Sequence, residues 1–148
     1  MLDAYRDLID GLTEESTTLR ERLGSPVLDD ISPALLTALK EIRGREAAMF
    51  RRAQSIMRGE RITLRDIENE VEVKNAADLQ ESPEELMQGF ILDRGELVSL
   101  LINLTLKDWE RKVPHYTLGE TTLSDEIETH LTWEEESLER VDSLLVQG

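Results

Sequence analysis

Three charged side chains stand where an amphipathic helix calls for apolar ones. Glu46 falls between Ile42 and the pair Met49–Phe50, and Arg94 falls between Phe90 and Leu97. Glu134 lies four residues after His130 and four before Leu138. A buried, unpaired charge is costly, so these groups must pair or line a wet cavity. One chemistry is a structural ion pair, Glu46 with Arg94, tying two helices together in fixed register. The other is a functional pocket in which carboxylates and a histidine serve a metal ion or acid–base work.

Metal constellations can be tested by spacing. The chain has two histidines, His115 and His130, and the residue three before His130 is Ile127. A dimetal site built from two Glu-x-x-His motifs on separate helices is therefore excluded. Glu-x-x-Glu pairs, as in a magnesium pyrophosphohydrolase, are expected by chance when 32 of 148 residues are acidic. Glu41, His130 and Glu134 remain as a mixed-ligand set for a divalent ion, with His130 and Glu134 one helical turn apart. Cysteine is absent, which removes thiolate sites, disulfides and cysteine nucleophiles. There is no Gly-rich phosphate loop and no Gly-x-Ser-x-Gly elbow. Trp109 and Trp133 read as packing residues.

Four segments with helical periodicity must position these groups. The first runs from Leu2 to Leu23 and stops at Gly24-Ser25-Pro26, followed by a short acidic connection, VLDDI. Ser32-Pro33 opens the second, a hydroxyl cap followed by proline at the first helical position, and Gly59 suits the residue past its end. Residues 60–81 are polar and weakly periodic, a long connection with at most one helical turn near Thr63. Ser82-Pro83-Glu84-Glu85 spells a capping box for the third helix, which extends to Val113 before Pro114. Gly119 and Thr121-Thr122 lead into the fourth. Such stripes can bury only against one another, which predicts an all-α four-helix bundle over residues 1–148 as one domain. The long connection between helices 2 and 3 allows a crossover rather than simple up-and-down order.

Composition agrees. Hydrophobic residues make up 39% and charged residues 33%, as in a globular chain, and aromatics only 4%, which disfavours an all-β fold. A net charge of −15 repels nucleic-acid phosphates and anionic membranes. No apolar run approaches ~20 residues, and MLDAYRDLID lacks the basic-then-apolar pattern of a signal peptide, so a cytoplasmic location is expected.

Three stretches carry a resemblance. EIRGREAAMFRRAQSIMRGE ends in Gly-Glu and holds Glu46 and the Arg51-Arg52 pair; ILDRGELVSLLINLTLKDWERKV places Arg94 before a leucine stretch; GETTLSDEIETHLTWEEESLERV begins Gly-x-x-Thr-Leu and closes the chain as a helix. In this order they resemble the DinB/YfiT-like family of bacterial four-helix bundles over most of the chain. The resemblance implies that fold, a tendency to homodimerise, and an architectural role for Glu46 and Arg94. Family members typically bind nickel or zinc through three histidines, one on the second helix and two, four apart, on the fourth. On that pattern Glu41, Trp133 and Ser137 take the three positions; none is histidine, and His130 lies three residues early. Tryptophan cannot ligate through its ring nitrogen and serine is a poor neutral ligand. The resulting expectation is a metal-free, DinB-like binding or interaction module, homodimeric, without nucleic-acid or membrane partners. The alternative is a divergent metalloenzyme of that class, a thiol-dependent transferase or isomerase or a hydrolase, holding Ni, Zn or Mn at Glu41, His130 and Glu134.

Overall fold

A computed structural model describes residues 3–147. The described residues are mainly helical, with one two-stranded hairpin that the all-α expectation lacks. The order is α1 (Asp3–Arg22), α2 (Ser25–Asp29), α3 (Pro33–Met57), α4 (Val71–Lys74), α5 (Pro83–Ile102), α6 (Leu106–Glu110), β1 (Lys112–His115), β2 (Gly119–Thr122) and α7 (Leu123–Gln147). Single 3₁₀ turns at Ile67–Asn69 and Ala76–Asp78 flank α4. Leu2, expected to begin the first helix, lies outside the described residues.

The capping chemistry predicted from sequence is present. Ser32 accepts from the Leu35 amide, and Ser82 and Glu85 form the reciprocal capping box of α5. Gly59 ends α3 with φ +69°, its amide donating to Ile56 O and the Glu60 amide to Ser55 O. These two bonds are the Schellman pattern, in which the left-handed residue suits glycine.

Three boundaries differ from expectation. Pro26 does not merely stop α1; it sits in the first turn of α2, where a missing N–H costs nothing, so the VLDDI connection is partly helical. The third helix ends at Ile102, not Val113, because Thr105 and Asp108 form a second capping box that starts α6. Lys112–His115 then pairs antiparallel with Gly119–Thr122. In the turn, His115 Nδ1 accepts from the amides of Thr117 and Leu118, 3.1 Å each. The connection 60–81 holds α4 and two 3₁₀ turns, while Thr63 is not helical and Leu64 bridges to His115.

The four long helices pack side by side, α1 and α3 each lying against both α5 and α7. Two apolar clusters give their directions. Leu12, Met49, Leu97 and Ile127 belong to one; Leu19, Ile42, Phe90 and Leu138 belong to the other. The chain thus runs from the first cluster to the second along α1 and α7, and the reverse way along α3 and α5. Parallel α3 and α5 require the 58–82 connection to return along their length, which is the crossover the sequence allowed. No described helix is long and apolar enough to cross a membrane.

That return is fixed by close approach. A Cβ on Gly44 of α3 would lie 2.7 Å from Glu72 O and 2.7 Å from Ala76 Cβ. Gly44→Ala gains about 0.5–1 kcal/mol of helix propensity but must push backbone away, an overpacking cost of about 1–3 kcal/mol. Thermal unfolding should therefore show a net loss of stability, and an unchanged or raised melting temperature would mean that the connection is not seated on α3.

A buried polar layer as the candidate functional site

Every long helix breaks its apolar stripe at one level. Glu15 and Ser16 separate Leu12 from Leu19, Glu46 separates Ile42 from Met49, Arg94 separates Phe90 from Leu97, and His130 and Glu134 separate Ile127 from Leu138. The resulting polar layer lies between the two apolar clusters. Glu46, Arg94, His130 and Glu134 are each at most 2% exposed.

Arg94 organises the layer. Its Nε and Nη2 donate to the two oxygens of Glu46 at 2.9 and 2.7 Å, and Nη2 also donates to Glu134 Oε2. Nη1 reaches the Leu12 carbonyl at 2.6 Å, binding α1 into the same network. The guanidinium also stacks 4.9 Å from the Phe90 ring centroid. His130 Nε2 lies 2.9 Å from Glu46 Oε1, which makes it the donor to that carboxylate. Burial alone would raise the Glu46 pKa, but the charge and hydrogen bonds of Arg94, with those of His130, outweigh it and hold it down to about 2. Burial likewise works against the Arg94 charge, and Glu46 and Glu134 more than restore it.

Glu15 behaves in the opposite way. Its burial, followed by a hydrogen bond with Glu134 and the charge of that residue, pushes its pKa up to about 9. Glu15 therefore holds a proton at neutral pH. Glu15 Oε2 and Glu134 Oε1 are buried without an ordinary donor, and one proton shared between them accounts for both. His130 Nδ1 is the layer's remaining buried atom without a partner.

Among the described residues, Glu46, His130 and Glu134 are the group whose ligand atoms lie close enough to hold a metal ion, within 4.8 Å of one another. The donor set fits poorly. Arg94 Nη2 bridges Glu46 and Glu134, so a guanidinium already stands where a cation would bind. A divalent ion would have to displace it and leave a buried cation unpaired.

The expected trio of Glu41, His130 and Glu134 is not brought together. Glu41 is half exposed and lies 3.6 Å from Arg140. Five residues separate it from Glu46, roughly 140° around a helix of 3.6 residues per turn, so the two face different ways. Glu41, Trp133 and Ser137 do meet, in a surface cleft of about 200 Å³ with Arg140. Their donors are not a ligand set: the Arg45 guanidinium covers the Trp133 ring at 4.5 Å, and the Ser137 hydroxyl donates to Trp133 O. Trp109, by contrast, is buried and stacked on Tyr5.

Sequence reasoning missed a second buried pair. Arg52 Nη1 donates to Glu126, Arg52 Nη2 donates to Arg65 O at 2.6 Å, and Thr121 donates to Glu126 at 3.0 Å. Neighbouring Arg51 clasps Glu70 and Glu72. The Arg51-Arg52 pair thus fastens α3 to the connection and to α7. The available signal was Arg52 itself, three residues after Met49 and four before Ile56 on the α3 stripe.

Comparison of the chain with protein-family models, curated proteins and solved structures gives no significant match.

Proposed function

We propose that this protein is a metal-free, DinB-like four-helix bundle that acts as a binding or interaction module. The observation carrying this reading is Arg94, whose guanidinium occupies the space between Glu46 and Glu134 and makes the buried group of Glu46, His130 and Glu134 an architectural device. The placement of Glu41, Trp133 and Ser137 in one cleft supports aligning the chain on the family's pattern, with that pattern's ligands replaced. A homodimer in the cytoplasm, free of nucleic acid and membrane, completes the proposal; Leu92 and Ile102 are exposed on α5 and available to a second copy.

The competing reading, a divalent-metal enzyme, now rests on Glu46, His130 and Glu134 and on the unpartnered His130 Nδ1. Metal analysis of untagged protein, combined with thermal melts in Ni²⁺, Zn²⁺ and Mn²⁺, decides between them. The expected result is no stoichiometric metal and no ion-specific rise in melting temperature. A rise with one ion that disappears in His130→Ala would replace the module with the enzyme.

A further inference from the structure

A second cleft, remote from the polar layer, opens where α3 ends. Its volume is about 370 Å³, between the segment following α3 and strand β1. Ile56, Ile62, Val113 and Pro114 give it an apolar wall. Arg61, Arg111 and Lys112 line it as cations, against one carboxylate, Glu60. That balance is unusual in a chain of net charge −15.

The three cations differ in what they already do. Arg111 is locked in place, donating to Asp108 and to Ile56 O at 3.0 Å each. Arg61 and Lys112 form no ion pair among the described residues. Two of the terminal α3 carbonyls, whose partial negative charge would repel an anion here, already have donors: Gly59 N and Arg111 donate to Ile56 O, and Glu60 N donates to Ser55 O. Apolar walls with a few convergent charged groups, in a volume of roughly 300–1,000 Å³, are the usual form of a small-molecule site.

We infer that this cleft binds a small amphipathic monoanion, a carboxylate on a short aliphatic body, with the head between Arg61 and Lys112 and the body against Ile62 and Pro114. The inference rests on the binding-module reading only in requiring a ligand. It uses no residue of the polar layer, so the metal assay and the ligand assay fail independently.

The test titrates the full chain with octanoate and with its neutral analogue octanamide, followed by calorimetry and by amide chemical shifts. Octanoate should bind saturably, shift the amides of residues 59–63 and 112–113, and weaken as salt screens the cations. Octanamide should bind roughly tenfold more weakly or less. The Arg61→Gln/Lys112→Gln variant should remove that preference while leaving octanamide binding in place. Because both side chains are exposed, its melting temperature should match the wild type and so report an intact fold. Absence of saturable octanoate binding, or equal octanoate affinity in the double variant, would overturn the assignment.

Discussion

Arg94→Ala should cost about 3–5 kcal/mol of stability in a denaturant titration. The magnitude follows from what is left behind rather than from what is removed. Glu46 is fully buried, and its charge is stabilised chiefly by Arg94. Without the guanidinium, two carboxylates face each other in an apolar interior and the Leu12 carbonyl loses its side-chain donor. A double-mutant cycle isolates the cause. Arg94→Ala in a Glu46→Ala background should cost less than in the wild type, because one buried charge no longer needs a partner. A loss near zero would mean that water reaches the layer and that the stripe assignment is wrong.

Raising the pH from 5 to 9 should destabilise the wild type relative to Glu15→Gln. Folded Glu15 keeps its proton to about pH 9, whereas the unfolded chain releases it near 4.5. Between those values the folded state binds more protons, so this group's stabilising contribution is complete below about 4.5 and is lost as pH climbs through 9. Glutamine keeps a donor toward Glu134 at every pH and removes the titration. Glu46 works in the reverse sense, its contribution present above 4.5 and lost as pH falls toward 2. Urea midpoints for the two proteins across the pH series provide the measurement. Parallel curves would sink the shared proton between Glu15 and Glu134.

Periodicity and caps made much of this fold legible, because Ser32-Pro33, Ser82-Pro83-Glu84-Glu85 and Gly59 act locally and the structure uses each as its chemistry predicts. The break after Ile102 was harder to see. Leu101, Leu104 and Trp109 keep an apolar spacing that continues through it, and only Thr105-x-x-Asp108 marks the new start. The hairpin was hidden because Pro114 reads as a helix stop, although a proline also fits a short exposed strand. Within the site, the interruptions at Glu46, Arg94 and Glu134 identified the layer, and the pairing of Glu46 with Arg94 followed from their charges. Glu15 interrupts the α1 stripe at the same spacing, three after Leu12 and four before Leu19, and was overlooked there. Its raised pKa has no sequence signal, because it depends on the approach of α7.

The layer also sets an order on the assembly of the chain. Glu46 and Arg94 are made well before α7, and α7 brings both His130 and Glu134. A nascent chain that has released α1, α3 and α5 can pair Glu46 with Arg94 but leaves that pair facing water on the side that α7 will cover. Both apolar clusters are open along the same side, since each takes its last residues from α7. Commitment to the folded state therefore waits for α7 to leave the ribosome, and translation arrested before it would expose an apolar face to chaperones and proteases.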